Sequence, residues 1–264
     1  MNKRLRNRCL TILLPFLAAF TVLLGQVLIF LFGENYGRSP AYFGVYRDSG
    51  YYEINPEKIL ASIEQDETDI FVPFYGDIDR DEPYYDSIAW KQSDYLKIVN
   101  ALSAETWNEP LNLEDWQVIF IDLIGDCHDE ARGFHTFTIT YYKALGIENW
   151  ERRYVTRLIE IYPWQGLIRW GKDATFSAPL LLPWDGFSLT EFRITGDDAL
   201  QIAERNGGVN ARQKIDDSCM TVLTVNQLSP LPHRVNWLVD YERADFYLHI
   251  NPYTGEYKKL NSDK

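Results

Sequence analysis

The sequence predicts an α+β protein: one N-terminal transmembrane helix, then two helix-plus-antiparallel-sheet units arranged as a tandem duplication. Three observations carry this. A run of 24 uncharged, mostly apolar residues, 9–32, follows a basic tip. Aromatic residues make 15% of the chain and concentrate in β-rich stretches, where they suit a pleated surface. A helix followed by three or four strands occurs twice, with a closely similar turn in each copy.

The tip, Lys3, Arg4, Arg6 and Arg8, precedes the uncharged run. As a helix that run would be about 36 Å long, against a hydrocarbon core of about 30 Å. Basic residues stay cytoplasmic, so the expected location is the cell membrane, single-pass, with the C-terminal part outside. The rival is a cleaved signal peptide. Its apolar region would be about 7–15 residues long and end at small residues. Ala18-Ala19 is the best such point, but Leu17 and Phe20 flank it and the apolar run continues to Phe32.

Residues 1–33 are thus the tip and anchor, and 34–90 a juxtamembrane linker with glycines, a short helix and an acidic loop. Asn55-Pro56-Glu57 has the chemistry of a helix start: cap, proline in the first turn, and an acid beside the positive end. The first unit spans 91–190. Tyr95, Leu96, Ile98, Val99 and Leu102 fall on one helical face over 93–107. Strands follow at 116–124, 134–142, 153–162 and 167–170; in the second, Phe137, Ile139 and Tyr141 alternate with threonines. The second unit spans 191–264. Thr195 and Asp198 make a capping box, and Gly207-Gly208 stops that helix. Strands are expected at 219–225, 235–242, 246–250 and 256–260. The turns Pro163-Trp164-Gln165-Gly166 and Pro252-Tyr253-Thr254-Gly255 align without a gap and share corner chemistry.

The second unit resembles a PepSY domain. The resemblance rests on Asp198-Ala199-Leu200-Gln201-Ile202-Ala203-Glu204, on Val235-Asn236-Trp237-Leu238-Val239-Asp240-Tyr241, and on the closing Leu248-His249-Ile250-Asn251-Pro252-Tyr253-Thr254-Gly255-Glu256. Asn251 stands where that family has Asp, and Leu238 shifts the strand pattern. The likeness implies a helix on a small antiparallel sheet, PepSY-like or cystatin-like, outside the cytoplasm or tethered to a membrane. It also implies a part in restraining peptidases and brings no catalytic residues. The whole chain resembles membrane-anchored proteins of bacterial genomes, a likeness that implies no activity.

The chain carries 26 basic and 38 acidic residues, net −12; beyond the tip the balance is about −16. Such a surface repels nucleic-acid phosphates and suits cationic partners. Cys9 belongs to the anchor. Cys127 and Cys219 are an even pair in an oxidising compartment, and both a disulfide and two free thiols remain open. The densest set of ligand types is Asp126-Cys127-His128-Asp129-Glu130 with His135 nearby. Adjacent residues on a turn point apart, and no zinc spacing is present, so a polar loop is the plainer reading. Asp77, Asp79 and Asp81 start like a calcium loop, but Glu82 and Ile88 stand where glycine and a bidentate acid belong. No metal or cofactor is expected, with Asp77, Asp79, Asp81 and His128 the weak candidates. Trp164, Trp170, Trp184 and Phe187 fit a sheet face or core better than a groove.

No nucleophile elbow, Walker loop or dinucleotide fingerprint occurs. The expected function is therefore a non-enzymatic protein- or peptide-binding, regulatory ectodomain. The alternatives are a hydrolase with a dispersed site near Asp126 to Glu130, and a purely structural envelope protein.

Overall fold

The computed structural model describes residues 15, 17, 19–25, 46–76, 85, 88–107, 116–127, 133–148, 151–179, 186–215, 219–226 and 235–260. Among these are ten strands: β1 (Asp48–Glu53), β2 (Val72–Phe74), β3 (Gln117–Asp126), β4 (Thr136–Glu148), β5 (Glu151–Tyr162), β6 (Leu167–Pro179), β7 (Met220–Asn226), β8 (Trp237–Tyr241), β9 (Phe246–Ile250) and β10 (Tyr257–Leu260). The helices are α1 (Ile59–Glu64), α2 (Gln92–Trp107), α3 (Gly196–Ala203) and α4 (Val209–Arg212).

The expectation of two separate helix-plus-sheet units is overturned. All ten strands form one antiparallel sheet, ordered β10-β9-β8-β7-β3-β4-β5-β6-β1-β2. The join is β3 against β7, in register from Phe120 opposite Asn226 to Asp126 opposite Met220. The reason is edge chemistry. Two separate sheets would each leave a first strand with a row of unpaired N–H and C=O groups beside apolar side chains. Pairing those edges satisfies the backbone and makes one apolar face. Leu123 faces Phe137 on one side and Leu223 on the other. The row continues through Ile161, Ile168 and Tyr52 in one direction, and through Val239 and Leu248 in the other.

That face meets the helices. Tyr95, Ile98, Val99 and Leu102 of α2 are fully buried, and Tyr95 Oη donates to Phe134 O at 2.6 Å. Thr195 and Asp198 form the expected capping box at the start of α3. The two helices also meet above the seam: Gln92 N donates to the Asp197 carboxylate at 3.0 Å, and Gly196 N donates to Gln92 Oε1. A side chain at position 196 would collide with Leu123, so glycine allows this close approach. The glycine pair does not end the helical path. The chain kinks at Asn206 and Gly207, where φ is 116°, and resumes as α4. Glu204 holds the kink, accepting from Arg212 Nε at 3.0 Å and from Tyr241 Oη.

Strands β4 and β6 extend well past the expected limits, whereas β5 begins only slightly before its expected start. Beyond Tyr142 and Lys172 they form an arm, with Leu145 and Asp173 as the extra residues of two bulges. A second small core, Ile119, Phe120, Tyr142 and Tyr154 with Phe176 against it, supports the arm.

The expected linker contains β1 and β2, which close one side of the sheet. The transmembrane helix is also corrected. Among the described residues no helix is long and apolar enough to cross a membrane. Residues 15, 17 and 19–25 are helical. The rest of the apolar run lies outside the described residues.

Candidate functional site

The segment between β1 and β2 builds an open concave feature. After Glu53 the chain is pinned to the neighbouring turn by Ile54 N donating to Gly166 O at 2.8 Å. Gly166 has φ 63°, and a Cβ there would press on Ile54 O and the Tyr85 ring, so the pin depends on glycine. Asn55 Oδ1 then accepts from Glu57 N at 3.1 Å, an Asx turn. Asn55 is thus not the cap of α1: one turn intervenes, and Ile59 N donates to Asn55 O at 2.9 Å.

Helix α1 is short because the chain leaves it in left-handed backbone. Asp66 has φ 53° and Asp69 φ 58°. Asp is among the few non-glycine residues that adopt this conformation at modest cost. Glu67 N donates to Ser62 O at 3.0 Å, folding the loop back on the helix. Phe71 is buried, and β2 returns alongside β1.

The excursion encloses an open groove of about 490 Å³. Its floor is Ile54, Ile59 and Ile70, and its rim carries Glu53, Glu67, Asp69 and Lys58 with Ser62 and Thr68. Three carboxylates face one amine, so the rim favours cations. The negative field reaches α2: burial, and then the Asp69 charge, hold the Glu105 carboxyl above its ordinary value. An ion pair of 2.9 Å between Glu64 and Lys97 ties α1 to α2 behind the groove. The lining holds hydrogen-bond acceptors and an apolar floor, and neither histidine nor cysteine. That combination suits binding through charge and backbone contact.

The residues singled out in the sequence fall elsewhere. Asp77, Asp79, Asp81, His128, Asp129, Glu130 and Trp184 lie outside the described residues. Asp126 is exposed at the end of β3. Cys127 and Cys219 are buried and joined as a cystine, Cα atoms 5.5 Å apart, beside the β3–β7 seam. His135 is half-buried, with its Nδ1 3.4 Å from Thr136 Oγ1, and burial lowers its pKa. Among the described residues no group of three His, Cys, Asp or Glu side chains could hold a metal ion. Trp170 packs on Tyr52 at 6.3 Å and Phe187 on Phe192 at 5.2 Å, so each serves a different part of the packing.

The groove was not visible in the sequence, where 64–89 looks like acidic loop. The signal that was present is Gln65-Asp66-Glu67-Thr68-Asp69, two Asp in a short polar stretch directly after an apolar helical face. No protein-family model, curated protein or solved structure matches this chain.

Proposed function

We propose that this protein is a non-enzymatic binding domain that works outside the cytoplasm, and that the groove between β1 and β2 takes an extended, basic segment of a polypeptide partner. The observation that carries the reading is the groove rim: Glu53, Glu67 and Asp69 against Lys58, above an apolar floor. A basic side chain would find acceptors at the rim, and its aliphatic stem would lie on Ile54, Ile59 and Ile70. The acidic balance of the whole chain would steer such a partner toward it. The buried cystine supports an oxidising compartment. The PepSY-like pattern of the C-terminal residues supports a regulatory role, with a peptidase or its propeptide as partner.

The test is direct binding of labelled ten-residue peptides, Lys/Arg-rich, neutral or acidic, to the full chain and to its Glu67→Gln/Asp69→Asn variant. The basic set should bind with clear salt dependence, and the variant should lose at least about fivefold, roughly 1 kcal/mol. Equal binding of the acidic set, or no change in the variant, would refute the assignment.

A further inference from the structure

The two ends of the sheet differ in their capacity to accept another strand. At one end, Ile54 N donates to Gly166 O on the outer side of β6, so Gly50 and Tyr52 bond toward β6 while Tyr51 and Glu53 bond toward β2. Val72 and Phe74, opposite Glu53 and Tyr51, therefore bond inward, and the outward position of β2 is Pro73. Proline has no N–H to offer, so it guards that edge. At the other end, Asn251 N donates to Glu256 O at 2.8 Å, so Lys258 and Leu260 bond inward to β9. Tyr257 and Lys259 turn their N–H and C=O groups outward, and no described strand lies beyond β10. The matching edge in the other half, that of β6 after its Pro163–Gly166 turn, is covered by β1.

The side chains on this edge select one occupant. Glu256, Tyr257, Lys258 and Lys259 are all exposed, Tyr257 at 52%. The ion pairs among the described residues involve neither Glu256 nor Lys258. Glu256 and Lys258 share one face of the strand, and Tyr257 and Lys259 share the other. A second copy laid antiparallel, with Tyr257 on the two-fold axis, exchanges both outward hydrogen bonds of Tyr257 with its counterpart. It also puts Glu256 of each copy opposite Lys258 of the other, while Lys259 falls opposite Gly255, which has no side chain. Opposite charges and aromatic pairs directly across an antiparallel ladder are favourable, and a two-fold interface must be self-complementary in this way. Moving the axis by one residue sets Lys258 against Lys258 or Glu256 against Glu256, so the charges specify the register. We propose that the chain self-associates through 255–259, forming a two-fold dimer in which the sheet continues from β10 of one copy into β10 of the other.

The surface is small, so the dimer should be concentration-dependent. Sedimentation velocity of the full chain in mild detergent, across micromolar concentrations, tests it in two ways. Tyr257→Pro removes the outward N–H at the axis and leaves the bonds to β9 in place, since proline is tolerated on an edge strand whose N–H faces out. It should weaken self-association at least about tenfold with the urea midpoint unchanged. Lys258→Glu and Glu256→Lys should each weaken it similarly, because each places like charges opposite one another twice. An equimolar mixture of these two charge variants should restore association, since every cross pair is then Glu opposite Lys. The double charge variant should restore it alone, which also controls for folding. A monomeric wild type, a dimer indifferent to Tyr257→Pro or to both charge variants, or a mixture that stays monomeric would each overturn the proposal.

Discussion

The two sides of the β3–β7 seam use similar chemistry at different lengths. On one side β3 to β6 run 10, 13, 12 and 13 residues; on the other β7 to β10 run 7, 5, 5 and 4. The helices scale with them, 16 residues in α2 and 8 in α3. Each helix packs its buried residues against the apolar face of the sheet. The long side continues past α2 and needs its own support: the cluster of Tyr142, Tyr154, Ile119 and Phe120, with Phe176 packed against it. Strand length beyond the main core is therefore held by a satellite core, and the outer part of the arm should be the less stable region.

Three experiments would break or sharpen that contrast. The largest effect should come from Trp237→Ala, at the start of β8 in the core of the short side. Trp237 is fully buried, and its Nε1 donates to Ile194 O at 2.9 Å. The substitution should cost about 3–5 kcal/mol, read from the shift in urea midpoint. Tyr154→Ala in the arm should cost less, and should mainly speed amide exchange over 143–148 and 174–179. Equal global costs for the two would show that the arm unfolds with the core.

Next is the seam. The Cys127–Cys219 cystine closes a separation of 92 residues across it. Replacing both cysteines with serine should lower stability by about 2–4 kcal/mol, again by urea titration. A loss below about 0.5 kcal/mol would mean that the ladder alone holds the two sides together.

The smallest effect concerns pH. Asp122 lies on the face opposite the helices and accepts from Thr224 Oγ1 at 2.7 Å across the seam. Burial raises its carboxyl above the usual range, while the Thr224 bond pulls the other way. A raised carboxyl contributes fully below its unfolded value and loses that contribution as pH rises through its folded value. Asp122→Asn should therefore gain on the wild type between about pH 4 and pH 7.5, measured by thermal melts at both ends. A gain that runs the other way would assign the hydrogen bond more weight than the burial.

Local features were legible in the sequence. The buried face of α2, the Thr195–Asp198 capping box and the alternation of Phe137, Ile139 and Tyr141 each depend on residues within one or two turns of one another. So does the recurring turn: Gly166 and Gly255 both have positive φ, 63° and 77°. What was not legible is what distant segments do together. Nothing near Leu123 announces that Leu223 will sit beside it, because the pattern of a half-buried strand is the same whichever strand lies next to it. Strands β1 and β2 were hidden for another reason. They are short, and glycine, proline and aspartate around them mark turns more strongly than Tyr51 and Tyr52 mark a strand. The arm was missed because Gly146 and Asp173 at its bulges resemble strand ends. The groove depends on positive φ at Asp66 and Asp69, a backbone property that side-chain periodicity does not report.

The seam has a consequence for synthesis. Strand β3 is made about a hundred residues before β7, the strand that satisfies its outer edge. At about 5–20 residues per second this interval is roughly 5–20 s. Throughout it, Ile121 and Leu123 stand on an open strand with the rest of the long side already able to fold. During that wait the chain presents an apolar edge in search of a partner, and other nascent copies are the nearest ones available. Slower emergence of 220–226 would turn a requirement of the folded sheet into an aggregation risk, so a holding chaperone should matter more to this protein before residue 226 than after it.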